Sequence, residues 1–119
     1  MFGLWLLLLI TSCIADVHPT GKYCGGNFMI TITARVKTAT IIDLGITILG
    51  KTFNCMNEEV ILLQNGTISL PNAHLRQNCI YKILDEFGNV DLRFYYDSRR
   101  NIVDVQISGM PPLRMERCY

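Results

Sequence analysis

Cysteine is the most versatile reactive residue in this 119-residue sequence. A thiol can form a disulfide, bind a metal or attack a substrate. Five cysteines occur, and Cys13 lies in an apolar N-terminal segment. The others are Cys24, Cys55, Cys79 and Cys118. No two of these four stand within a few residues of each other, which is unlike the close spacing of zinc ligands. An even number of dispersed cysteines in a small secreted chain predicts two structural disulfides.

The order of the elements favours one pairing of these cysteines over the others. If the sheet closes, its first and last strands are antiparallel neighbours, which brings Cys24, expected just before the first strand, next to Cys118. Cys79 lies on the apolar stripe of a predicted helix and faces the sheet, where Cys55 ends a strand. The alternative, Cys24–Cys79 with Cys55–Cys118, stays open and requires the helix to lie over the start of the first strand.

The remaining reactive side chains form no recognisable catalytic set. His18 and His74 are far apart in the sequence. Adjacent carboxylates occur twice, and both pairs are predicted to lie on the surface: Glu58-Glu59 and Asp85-Glu86. The sequence contains no Gly-x-Ser-x-Gly elbow, phosphate-binding loop or His-Glu-x-x-His motif. We therefore expect a protein without enzymatic activity, metal or cofactor.

The N-terminus predicts secretion. An apolar run over residues 4–10 is too short to span a bilayer, which needs about 20 residues, and small residues follow up to Ala15. This pattern predicts a cleaved signal peptide over residues 1–15 and a single disulfide-bonded domain over residues 16–119. In a bacterial source, the alternative is a lipoprotein with its lipid anchor on Cys13. No second apolar run of spanning length follows, so no transmembrane segment is expected in the mature chain.

Charge excludes one class of partner. Eleven Lys and Arg balance ten Asp and Glu, which argues against binding to nucleic acid. The arginines that crowd the C-terminal third alternate with acidic residues, which predicts a solvated surface of mixed charge.

Hydrophobic periodicity predicts a β-rich fold. Apolar residues alternate along residues 28–36, where Phe28, Ile30 and Ile32 share a face, and again along residues 41–48. A short third strand over residues 51–55 and a hairpin around Asn65-Gly66 follow. Asn-Gly suits the positive φ angles of a type I′ turn. Asn65 also opens the triplet Asn-Gly-Thr, so in a eukaryotic secretory pathway it is the predicted glycan acceptor.

One amphipathic helix interrupts the strands. Apolar positions between Leu75 and Phe87 have helical spacing, with Asn72 as the expected N-cap and Gly88 at the C′ position. Two strands follow over residues 90–96 and 102–108, and a break at Met110 precedes a last extended piece. The expected fold is mainly β: an antiparallel meander forming a curved sheet or small barrel, packed against the single helix and stapled by disulfides.

The start of the predicted sheet carries a family resemblance. Gly21-Lys22-Tyr23 resembles the Gly-x-aromatic beginning of the first strand in lipocalin-like (calycin) β-barrels. The match covers three residues, and a helix in mid-meander departs from the order of that family, where the helix follows the barrel. The resemblance implies a β-barrel, and no binding residues are carried over from it.

Three functions fit this pattern, and surface binding is preferred. The protein is expected to act through its surface on an extracellular or cell-surface protein. A carrier of a lipid or other small apolar ligand between sheet and helix is the alternative, supported by the 50% hydrophobic content. An inhibitor of secreted hydrolases is the third. Its candidate interaction loop, stiffened by proline, contains Met110, Pro111, Pro112 and Arg114.

Overall fold

A computed structural model describes residues 18–118 of the chain. The predicted signal peptide, its cleavage site and the alternative lipid anchor on Cys13 lie outside the described residues.

Nine strands and one helix make up this part of the chain. Strands β1 to β6 precede the helix, and β7 to β9 follow it, so one strand more precedes the helix than the five that the periodicity predicted. The strands are β1 Gly21–Gly26, β2 Ile30–Thr38, β3 Ile41–Ile48, β4 Lys51–Glu59, β5 Ile61–Leu62, β6 Thr67–Ser69, β7 Leu92–Asp97, β8 Ile102–Ile107 and β9 Leu113–Cys118, and the helix α1 is Cys79–Glu86.

The strands form one antiparallel sheet that nearly closes into a barrel. Their order is β4-β3-β2-β1-β9-β8-β7-β6-β5. The two edge strands, β4 and β5, are separated in the chain by Val60 alone. One continuous extended segment therefore pairs first with β3 and then with β6, and it joins the two edges of the sheet. This confirms the predicted meander and its strong curvature.

The first and last strands meet as the sequence analysis expects. β1 pairs antiparallel with β9, and Lys22 lies opposite Cys118. Cys24 and Cys118 form a disulfide across this pair, with their Cα atoms 5.8 Å apart. The expected place of Cys24, just before the first strand, is wrong: it lies inside β1, because the glycine-rich segment at residues 21–26 forms a strand of its own.

The helix is shorter than predicted and begins later. Its N-cap is Asn78 rather than Asn72: the Asn78 side chain accepts hydrogen bonds from the backbone N–H groups of Ile80 and Tyr81. Residues 71–78 form turns instead. The predicted C-terminus is correct, since Gly88 has a φ of 90° and the Asn89 N–H donates to the Leu84 carbonyl at 2.8 Å.

Two bonds attach the start of the helix to the edge strand β4. Cys55 and Cys79 form the second disulfide, which completes the pairing that the sequence favoured. One residue earlier in the chain, the Asn78 amide donates to the Glu58 carboxylate at 3.0 Å. The prediction that Glu58 lies on the surface is wrong, because this side chain is only 6% exposed, while Glu59 is exposed as expected.

The β5–β6 turn differs from its predicted type. Of Asn65 and Gly66, only Gly66 has a positive φ, 91°, whereas a type I′ turn requires two positive angles. The Gly66 N–H donates to the Leu63 carbonyl, and the Leu63 N–H donates to the Thr67 carbonyl. The connection is therefore a longer loop in which Gly66 takes the left-handed position.

The barrel interior is filled by side chains of the strands, and the helix covers one side of it. Leu44, Ile46 and Ile48 from β3 are buried, as their alternation predicts, and Ile80 and Ile83 are the buried residues of the helix. The rest of the core comes from neighbouring strands, including Tyr23, Ile30, Ile32, Phe94, Val103, Val105 and Met115.

Removing either disulfide should destabilise the protein, and the β1–β9 bond should matter more. Its cysteines are 94 positions apart, against 24 for Cys55–Cys79. Loop entropy then predicts losses of roughly 4.5 and 3.5 kcal/mol of unfolding free energy for the paired Cys→Ser variants. Urea unfolding followed by circular dichroism measures both. Equal losses, or a larger loss for the shorter loop, would contradict this order.

Candidate interaction surface

Three turns at one end of the barrel carry no charged residue. They are residues 27–29 between β1 and β2, residues 49–50 between β3 and β4, and residues 108–112 between β8 and β9. The antiparallel pairing of β2 with β3 and of β1 with β9 places these turns at the same end. We call this set the apolar end.

Phe28 is the most exposed large apolar side chain of the described residues. Its side chain is 96% exposed, whereas the sequence analysis placed it on the buried face of the first strand. That prediction is wrong because β2 begins at Ile30. The alternation of buried and exposed residues therefore starts two residues after Phe28. The pair Gly26-Asn27 is the turn signal that could have separated Phe28 from the strand.

Leu49 is the second exposed apolar side chain of this end, at 70% exposure. Its φ of 50° lies in the left-handed region, which glycine and asparagine enter readily and other L-residues enter at a cost. Gly50 follows with a φ of 83°, and these two residues form a tight turn. Leu49 thus occupies an unfavourable conformation without burying its side chain.

Hydrogen bonds hold the first two turns in place. The Leu49 N–H donates to the Met29 carbonyl at 3.0 Å, which joins one turn to the other. Within its own turn, the Asn27 side-chain oxygen accepts from the N–H groups of Met29 at 2.8 Å and of Ile30 at 3.0 Å. Phe28 and Leu49 are therefore presented on an ordered backbone.

The predicted interaction loop completes the apolar end. Pro111 and Pro112 are exposed, whereas Met110 is half-buried and packs against the core. Arg114 does not belong to the loop. It lies within β9 and is exposed, and its guanidinium donates to Asp104 of β8 at 3.4 Å. The loop thus adds two prolines to the apolar surface, while Arg114 belongs to the side of the barrel.

The opposite end of the barrel, which we call the polar end, carries mainly polar and charged side chains, together with Leu63, which is 45% exposed. It contains the β5–β6 turn with Asn65 and the β7–β8 turn with Arg99 and Arg100, all exposed. The side-chain oxygen of Asn65 accepts a hydrogen bond from the Thr67 N–H. The side-chain nitrogen of Asn65 takes no part in this hydrogen bond. In the second turn, Arg100 pairs with Asp97 at 2.9 Å, and this hydrogen bond lowers the pKa of the Asp97 carboxyl.

Two tyrosines close the interior below this polar end. The Tyr23 hydroxyl donates to the Asn101 side-chain oxygen at 2.6 Å, and the Tyr96 hydroxyl donates to the same atom at 3.3 Å. Burial and the neighbouring Tyr23 raise the pKa of Tyr96. Tyr23 is the aromatic residue of the Gly21-Lys22-Tyr23 segment, and it lies in β1.

The cavity between helix and barrel is small. Apolar residues from β6, α1 and β7, such as Ile68, Leu84 and Phe94, line a crevice of about 180 Å³. Pockets for small molecules usually hold about 300 Å³ or more. A wider cleft of about 550 Å³ lies at the polar end between the Asn65 and Arg99 turns.

One cluster of possible metal ligands is already engaged in bonds within the protein. Cys55, Glu58 and Cys79 bring their side-chain sulfur and oxygen atoms within 4.8 Å of one another. Both sulfurs belong to the disulfide, and a metal would need them as free thiolates. The trio therefore serves to attach the helix to β4.

Comparisons with known proteins leave the chain without an assigned relative: no family model matches it, and neither the curated proteins nor the solved structures gave a significant match. Within residues 18–118, no helix has the length and apolar character needed to cross a membrane.

Leu49→Asn should stabilise the protein, because asparagine tolerates the left-handed conformation and the leucine side chain contributes little packing. We expect the unfolding free energy to rise by about 0.5–1 kcal/mol, measured by urea unfolding. Leu75→Asn is the matched control, since Leu75 is also half-exposed, at 48%, but does not have a positive φ. A loss of stability on Leu49→Asn would mean that this leucine has a structural role.

Asn65 should carry N-linked glycan when the protein passes through a eukaryotic secretory pathway, because it is exposed in the β5–β6 turn. Enzymatic deglycosylation should then lower the measured mass. Both Asn65→Gln and Thr67→Ala should abolish the shift, whereas Thr67→Ser should retain it. An unchanged mass of the wild-type protein would refute the modification.

Proposed function

We propose that this chain is a small secreted, non-enzymatic binding protein that acts through its outer surface on a partner at the cell surface. The two disulfides are compatible with an extracellular location. The signal-like N-terminus supports the same location, and the glycan acceptor triplet at Asn65 agrees with it.

The filled interior is the observation that carries this proposal. Large side chains from facing strands, among them Tyr23, Ile32 and Met115, are almost completely buried inside the barrel. A carrier would need room for its ligand between sheet and helix, and the crevice there, at about 180 Å³, falls below the usual size of such pockets. Binding on the outside is then the function that the geometry supports best.

The apolar end is the surface that we assign to this binding. Exposed large apolar side chains that gain nothing from the fold are typical of interaction sites, and Phe28 and Leu49 are such residues. The inhibitor alternative has less support: its loop is held by Met110 against the core, but neither disulfide lies within the loop to brace it.

Binding of fluorescently labelled protein to intact cells of the producing organism tests the proposal. We expect the wild type to bind saturably, and the double variant Phe28→Ser/Leu49→Asn to bind at least fivefold more weakly. Arg99→Ala, at the polar end, is the matched control and should bind like the wild type. Equal binding of all three proteins would refute the role of the apolar end. Native mass spectrometry of the purified protein tests the carrier alternative, which requires retained mass beyond the glycan.

A further inference from the structure

We propose that the apolar end docks onto the surface of a lipid bilayer with zwitterionic headgroups, with Phe28 and Leu49 entering its apolar region. This inference rests on the proposed function, because it names the chemistry of the cell-surface partner. Phe28 is 96% exposed and Leu49 is 70% exposed, and both stand at the tips of hairpins rather than along a strand.

The shape of the apolar end suits a bilayer. A protein partner would need a cavity that matches two protruding side chains and a neighbouring proline loop. A bilayer interface accepts any group of apolar side chains that project from the same end of a protein, and aromatic rings are favoured at its boundary. The hydrogen bond from the Leu49 N–H to the Met29 carbonyl joins the backbones of the two turns, so insertion would not require further ordering of these turns.

The distribution of charge agrees with this orientation and with neutral lipid. No Asp, Glu, Lys, Arg or His occurs in residues 25–34, 44–50 or 105–113. The charged side chains that border these stretches form two pairs of opposite sign, Lys51 with Glu86 and Arg93 with Asp91, and the Asp91 N–H donates to the Ser108 hydroxyl at 2.8 Å. The apolar end therefore has no surplus of basic residues that would select anionic headgroups.

Hydroxyl groups follow the apolar tips along the strands. Thr47 and Thr52 lie opposite each other on β3 and β4, and their hydroxyl oxygens are 3.0 Å apart; Thr31 on β2 is also exposed. The arginines of the β7–β8 turn, Arg99 and Arg100, and the glycan acceptor Asn65 lie at the opposite end of the barrel. A protein docked by its apolar end would thus keep its charged and glycosylated end in water.

The expected affinity is low. A single myristoyl chain binds membranes with a constant of about 10⁴ M⁻¹, and a phenylalanine with a leucine buries less apolar surface than such a chain. Binding should therefore be reversible and should reach half-saturation at millimolar lipid or above. Several copies on one surface, or a protein bound beside the lipid, would strengthen it.

Tryptophan fluorescence offers a direct test, because the only tryptophan of the sequence, Trp5, lies within the predicted signal peptide. Phe28→Trp then places a single fluorophore at the apolar end of the secreted protein, whose N-terminus is checked by mass. With phosphatidylcholine vesicles at up to about 10 mM lipid, we expect a blue shift and protection from an aqueous quencher. Adding Leu49→Asn to this variant should weaken binding at least threefold.

The control variant Arg99→Trp carries the fluorophore at the polar end and should show neither change. Vesicle flotation of the wild type against Phe28→Ser repeats the comparison without a new tryptophan. The lipid proposal is overturned if Phe28→Trp shows no shift, or if Arg99→Trp shifts equally. Should vesicles fail to bind while cell binding still depends on Phe28 and Leu49, the partner is a protein and the proposed function stands. Failure of the cell experiment would remove the proposed function itself.

Discussion

Strand β9 returns to pair with β1, and this pairing turns a meander of short hairpins into a barrel. Every other neighbour in the sheet is also the next strand in the chain, and those pairings form over short turns except for β6 with β7, whose connection over residues 70–91 contains the helix. The β1–β9 pair joins the two ends of the described chain and carries the largest loop-closure entropy. The Cys24–Cys118 disulfide lies across this pair and reduces that entropy in the unfolded chain. On the far side, the continuous segment through Val60 joins the remaining edges without a crosslink.

The helix lies beside an edge of the sheet that the closure leaves without a strand partner. The three-residue strand β6 pairs with β5 and not with β4, so the outer side of β4 has no strand partner and that edge is left open. An open edge is a site of unwanted strand pairing. The Cys55–Cys79 disulfide and the Asn78–Glu58 hydrogen bond place α1 beside this edge. The Cys79 sulfur of this disulfide also lies 3.5 Å from the Asn54 carbonyl oxygen of β4. The helix thus covers this open edge.

The sequence predicts the parts of this fold that follow from local periodicity, and it misses the parts that follow from tertiary contacts. Alternation along residues 41–48 locates β3 and its buried face because a half-buried strand imposes a period of two. The helix start is missed because Asn72 and Asn78 are both suitable caps, and periodicity does not choose between them. Both amides donate to carboxylates of β4, but Asn78 is the one that accepts from the first N–H groups of the helix. Phe28 is misplaced because periodicity does not mark where a strand begins. The apolar end therefore cannot be found from the pattern alone, since it appears only when three turns from distant parts of the sequence meet.

A nearly closed barrel of this size leaves its turns as the places where side chains are free of packing constraints. Inward positions must fill the core, and outward positions of the strands must remain compatible with water and with pairing. At the polar end the turns carry asparagine, glycine and arginine, which satisfy local turn chemistry and solvent. At the apolar end, Phe28 and Leu49 favour neither a turn conformation nor contact with solvent. An asparagine at position 49 would fit a φ of 50° better than leucine does, and the leucine gains almost no burial in exchange. Folding does not account for this residue, which is the physical reason for proposing that it contacts an apolar partner.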